Sequence, residues 1–145
     1  MDIPEYVTVD EVRRVCKELG VRDWTALPEP QVLPEEAQAI LAALRIEGMD
    51  IPAEGFRQGL EVELEHGTRF DDANVTNNHP LLTGRIVLAH LKESLDYYAR
   101  LEVAELEGDL LKAVVAGDPP KAVAKYRKLV AARLSLAEGE ADELA

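Results

Sequence analysis

The chain has 145 residues, 47% of them apolar and 30% charged, and a formal net charge of −12. That length is enough to bury a core holding roughly 68–70% of the unfolded surface, and the acidity disfavours non-specific binding to nucleic acid or anionic membrane. A single cysteine, Cys16, excludes an intrachain disulfide and a thiolate metal cluster and fits a reducing compartment.

Met1-Asp2-Ile3-Pro4-Glu5 lacks the basic and apolar regions of a signal peptide. No apolar run approaches the ~20 residues that span a bilayer, so a cytoplasmic location is expected. Met1-Asp2-Ile3-Pro4 recurs as Met49-Asp50-Ile51-Pro52, but the residues that follow do not match. Val7 to Val9 is the one segment that could pair as a minor strand.

Thr8-Val9-Asp10-Glu11 has the pattern of a capping box, with Thr8 as N-cap and Glu11 three residues on. Val9, Val12, Val15, Cys16 and Leu19 follow at helical spacing, and Gly20 supplies a stop. Cys16 is read as a small core residue. Val21 to Val32 is a connector broken by Pro28 and Pro30, with Trp24 packing it onto the core. Pro34, Ala37, Ile40, Leu41 and Leu44 predict a second helix ending near Gly48. A third runs from about Pro52 through Phe56, Leu60 and Leu64 to Gly67.

Thr68 to His79 is a long polar loop rich in turn and cap residues. Its Asp72-x-Asn74-x-Thr76 imitates the start of a calcium loop. The later positions hold Asn77 and Thr83, so the segment reads as a capped turn. His79, next to Pro80, is read as a surface residue at a helix start. A fourth helix is predicted from Pro80 to about Leu106, and at least one ring of Tyr97-Tyr98 belongs in the core. Gly117-Asp118-Pro119-Pro120 separates it from a last helix, about Lys121 to Leu136, followed by a frayed acidic tail. Between Lys121 and Arg133 lie five basic residues, and Glu138, Glu140, Asp142 and Glu143 follow them.

Two short histidine–carboxylate pairs are the only constellation with chemical potential. Glu63 and His66 close the third helix, and His90 and Glu93 sit in the fourth, each pair about one turn apart. At ~100° per residue, Glu63 falls on the stripe of Phe56 and Leu60, whereas Glu61 and Glu65 point away. His90 lies opposite the polar face of Arg85, Lys92, Asp96 and Arg100. An ionisable group in an apolar stripe needs a partner, so Glu63 and His90 are expected to meet, with His66 and Glu93 at the edges. The bland reading is a structural pair. The sharp one is a metal site of Glu63, His66, His90 and Glu93, by analogy with helical di-iron and di-manganese carboxylate proteins. Against that analogy, the second motif is reversed and two bridging carboxylates are missing.

Gly59-Leu60-Glu61-Val62-Glu63-Leu64-Glu65-His66-Gly67, Asn74-Val75-Thr76-Asn77, Pro80-Leu81-Leu82-Thr83-Gly84, Ala89-His90-Leu91-Lys92-Glu93 and Asp96-Tyr97-Tyr98 together carry a resemblance. Over about residues 56–101 the chain resembles an uncharacterised family of bacteria, archaea and their phages, a domain of unknown function. The resemblance is looser before Gly48, and an acidic residue is expected where His79 stands. It implies a shared segment containing Glu63, His66, His90 and Glu93 but transfers no activity and no cofactor.

The expectation is an all-α, single-domain bundle of about five helices with a central helix–loop–helix hairpin. N-terminal helices would occupy residues 1–48, the hairpin 52–106, the last helix 119–137 and the tail 138–145. The expected function is non-enzymatic association, with a second copy or another protein. The alternatives are a metal-binding protein or oxidoreductase and nucleic-acid binding through Lys125-Tyr126-Arg127-Lys128 of the basic C-terminal helix.

Overall fold

A computed structural model describes residues 7–145. Among them are six α-helices and no strand: α1 (Val9–Leu19), α2 (Pro34–Leu44), α3 (Ala53–Arg69), α4 (Pro80–Glu93), α5 (Tyr97–Val115) and α6 (Pro119–Glu143). Short 3₁₀ turns lie at Trp24–Ala26 and Asp71–Ala73. The chain divides into two compact units, Met1–Lys92 and Glu93–Ala145. The first four residues of the Met-Asp-Ile-Pro recurrence lie outside the described residues.

Local chemistry explains the helix ends. Thr8 Oγ1 accepts the Glu11 N–H at 3.2 Å, so Val9 opens α1 instead of pairing as a strand. Gly20 closes α1 with φ 70°, its N–H donating to the Cys16 and Lys17 carbonyls. Helix α2 stops at Leu44, four residues short of the expected Gly48, because Arg45 takes a left-handed conformation with φ 49°.

The long helix expected from Pro80 to Leu106 is two helices. Ser94, Leu95 and Asp96 interrupt it, and the Ser94 hydroxyl donates to the Asp96 carboxylate. Short polar side chains that bond locally offer the backbone an alternative to the helix, which is why six helices stand where about five were expected. At the other end, α6 continues through the acidic residues to Glu143. Glu140 is tied to Arg100 at 2.7 Å, and Glu138 and Asp142 sit within the helix rather than in a frayed tail.

In the first unit Val12, Trp24, Ile40, Phe56, Leu60, Leu64 and Val87 form the core, each at most 1% exposed. Cys16 joins them, as its spacing implied. Helix α4 comes close to α2 at Gly84, where an added Cβ would lie 2.8 Å from Leu44 Cδ1 and 3.0 Å from Ile40 Cγ2. The second unit is the antiparallel hairpin of α5 and α6. It buries Leu106, Ala113 and Leu129 and is laced by Lys125–Asp109 at 2.6 Å and Arg133–Glu107 at 2.5 Å. Tyr98 is buried and meets Tyr97 edge-on, ring centroids 5.2 Å apart.

Candidate functional site

Helices α3 and α4 bring Glu63, His66 and His90 together. Glu63 Oε1 lies 3.5 Å from His90 Nε2, and Oε2 lies 3.7 Å from His66 Nδ1. The Glu63 side chain is 12% exposed and that of His90 29%, whereas His66 is 63% exposed. The carboxylate therefore sits at the inner edge of the apolar stripe with an imidazole on each side, one sheltered and one in water. Each carboxylate oxygen faces its own imidazole, and the contact with His90 joins α3 to α4.

Glu93, the fourth candidate, is the exposed last residue of α4 and belongs to the second unit. Both edge residues, His66 and Glu93, face water. Among the described residues, no three His, Cys, Asp or Glu side chains form a group that could hold a metal ion.

The polar loop is pinned down by its own amides. Asn74 Nδ2 donates to the Gly67 carbonyl at 3.2 Å and to Asn78 Oδ1 at 3.1 Å. Asn77 Nδ2 reaches the Val7 carbonyl at 2.5 Å, and Asn78 Nδ2 the Trp24 carbonyl at 3.4 Å. Asn77 and Asn78 both have positive φ, 48° and 59°, a conformation asparagine tolerates better than most residues. A Cβ on Gly67 would overlap Asn78 Oδ1, so only glycine lets this amide approach α3. A cleft of about 270 Å³ beside the loop is lined by Thr25, Pro28, Gly67, Thr68, Asn74 and Asn77, among others. The amides along it are engaged in holding the loop.

His79 is not on the surface as its neighbours suggested: it is 8% exposed. Its Nδ1 accepts the Leu81 N–H at 3.2 Å and the Leu82 N–H at 3.4 Å, so the imidazole caps α4. An acceptor is what a helix start requires, and a carboxylate would serve the same purpose. Burial lowers the His79 pKa below its ordinary 6.5; Glu11 opposes the shift and Arg14 adds to it. The readable signal was Pro80 at the first helical position, which marks its predecessor as the cap.

Two further polar knots escaped the sequence reading. Glu36 is 2% exposed, and its carboxylate accepts from Arg22 Nε at 2.9 Å, Arg22 Nη2 at 2.7 Å and the N–H groups of Arg22 and Leu33. Burial would raise its pKa, but the Arg22 guanidinium and these N–H donors hold it below the ordinary 4.5. Its spacing with Ile40 and Leu44, four residues each, places it on an apolar stripe and could have flagged it. Glu61, expected on a solvated face, instead accepts the Val32 N–H at 3.1 Å. Arg57 donates to the Val32 carbonyl at 3.2 Å and also to Glu61. Together they grip the connector that Pro30 leaves without helix partners.

The second unit presents a different surface. Helix α6 turns Leu129 toward α5, yet Val123, Tyr126, Val130 and Leu134 are 52%, 55%, 48% and 59% exposed. At ~100° per residue these four share one face about 80° wide. The helix is thus apolar on two sides, and the hairpin covers one of them.

The family model for "Protein of unknown function (DUF5661)" matches residues 12–107. No curated protein and no solved structure gives a significant match. The chain belongs to that family. The match starts well before residue 56 and takes in α2 and all but the first residues of α1. Arg22, Val32 and Glu36 all lie within it. The end of α5 beyond residue 107 and all of α6 lie outside the match.

Proposed function

We propose that this DUF5661 protein works by association with protein partners rather than by catalysis, and that the α5–α6 hairpin supplies the docking face. The observation that carries this reading is the exposed stripe of Val123, Tyr126, Val130 and Leu134. Exposed apolar patches on soluble proteins mark interaction sites more often than they occur idly. No helix of the described residues is long and apolar enough to cross a membrane, so a bilayer-spanning role does not account for the stripe. In the first unit, by contrast, Glu36, Glu61, Asn74 and Asn78 tie the connector and the polar loop to the helices.

Light scattering on the full chain, with retention of partners by the immobilised chain, tests the reading. Association predicts a mass above 16.0 kDa or a retained partner, either one lost in Val130→Glu/Leu134→Glu. A strict monomer that retains nothing contradicts it.

A metal-binding role built on Glu63, His66 and His90 of the first unit is the second reading, although the three do not stand as a ready ligand group. It is favoured by one observation: the Glu63 carboxylate lies within 4 Å of two imidazoles. Elemental analysis after metal supplementation tests it, and well under a tenth of an equivalent of any transition metal contradicts it.

A further inference from the structure

We propose that the exposed stripe of α6 is covered by the α6 of a second copy of this chain, running antiparallel and centred level with Ala132. This inference rests on the association reading and names its partner.

The first argument is spacing. Val123, Tyr126, Val130 and Leu134 continue as Ala137 and Ala141, at intervals of three or four residues. That interval is the one by which two helices form a continuous seam. The seam extends over about five turns, roughly 27 Å of helix. Small residues at its C-terminal end leave room for larger ones opposite.

The second argument is charge, and it fixes both the partner and the direction. Residues 121–133 of α6 carry Lys121, Lys125, Arg127, Lys128 and Arg133, and residues 138–143 carry Glu138, Glu140, Asp142 and Glu143. A parallel pair would set the basic half against the basic half. Lys121, Lys125 and Lys128 point away from the stripe, but Arg127 and Glu138 flank it, and an antiparallel pair sets one against the other, so that flank is complementary to itself.

The third argument is that one register satisfies both patterns. With the two-fold axis level with Ala132, Val130 lies opposite Leu134 of the second copy, and Val123 opposite Ala141. Tyr126 then covers the small Ala137. Arg127 and Glu138 flank the stripe on the same side, at about 40° and 60° from Val123. Residues on the same flank are the ones that meet across an antiparallel pair, so Arg127 faces Glu138 of the second copy, and the pair repeats by symmetry. Arg133 and Glu140, on the other flank, already hold Glu107 and Arg100 within the hairpin. Two hairpins joined in this way form a four-helix assembly in which each α6 is apolar on both covered sides.

The double variant Val130→Cys/Leu134→Cys, oxidised mildly as the full chain and digested with trypsin, reads the register directly. Both positions are exposed, and cleavage after Arg133 separates them. In the covalent dimer, separated from monomer without reductant before digestion, the proposal expects a disulfide joining the peptide with position 130 to that with position 134. Links of 130 to 130 and 134 to 134 mean a parallel pair; they overturn the proposal and leave the association reading standing. A chain that stays monomeric and unlinked also overturns the proposal, and partner retention then decides the broader reading alone. Arg127→Glu is expected to weaken the dimer about tenfold by turning two attractions into repulsions. Adding Glu138→Arg is expected to restore it, and failure of that restoration overturns the register.

Discussion

Glu63 Oε1 stands 3.5 Å from His90 Nε2, joining α3 to α4 through a carboxylate placed among apolar side chains. The contact explains why an acidic residue occupies that stripe. If the two groups are mutually dependent, their removal is not additive. A double-mutant cycle with Glu63→Gln and His90→Gln, read by urea unfolding at pH 6, should give a coupling of about 0.5–2 kcal/mol. Additivity within about 0.3 kcal/mol would show the pair to be incidental.

His79 gives the fold a pH dependence of definite sign. The folded protein holds its imidazole below the ordinary 6.5, so the unfolded chain binds the proton more readily. The contribution of the cap is complete above about pH 6.5 and is lost as the pH falls toward the lowered folded value. Glu11 and Arg14 face the same imidazole with opposing effects. His79→Asp should keep the cap while removing this loss below pH 6.5. His79→Ala should cost about 1 kcal/mol at pH 7.5. Equal pH slopes for the native protein and His79→Asp would exclude the imidazole as the cause.

Glu36 is the buried charge on which the connector depends. Glu36→Ala leaves Arg22 Nε and the Arg22 and Leu33 N–H groups without their acceptor, while Arg22 Nη2 keeps the Gln31 carbonyl, and breaking a buried, hydrogen-bonded pair costs about 3–5 kcal/mol. Arg22 is 38% exposed and can turn to water, so the lower end of that range is expected in thermal or urea unfolding. The folded pKa of Glu36 is lowered, so its contribution is present above pH 4.5 and lost as the pH falls further. A loss under 1 kcal/mol would mean that the connector is held elsewhere.

Gly67→Ala tests the asparagine clamp. The new methyl would take the place of Asn78 Oδ1 and lie 3.0 Å from Asn74 Nδ2. Overpacking of this kind costs about 1–3 kcal/mol. Combining Gly67→Ala with Asn78→Ala, which vacates the space, should cost less than the sum of the two single changes. Full additivity would separate the glycine from the amide.

The first half of the molecule was largely legible because its signals are local. Thr8, Gly20, Pro34 and the spacing of Val12, Ile40 and Leu60 each act within a turn or two of the chain. Glu63 and His90 were also legible, since an ionisable group on an apolar stripe calls for another. The Ser94–Asp96 break was hidden by an apolar pattern that runs past it on both sides. Glu61 was misplaced because its partner, the Val32 backbone, carries no side-chain signal. His79 was misread for a similar reason: what it binds is the backbone of its own helix. The second apolar stripe of α6 is plain in the spacing, but only the fold shows that α5 takes the other one.

The central claim is that α6 docks on its own kind, and sedimentation velocity across a dilution series tests it most directly. The account predicts a shift from a dimer at high concentration toward the 16.0 kDa chain on dilution, with Val130→Glu/Leu134→Glu monomeric throughout and still helical. A native chain that sediments as a monomer at every concentration, indistinguishable from that variant, would contradict it.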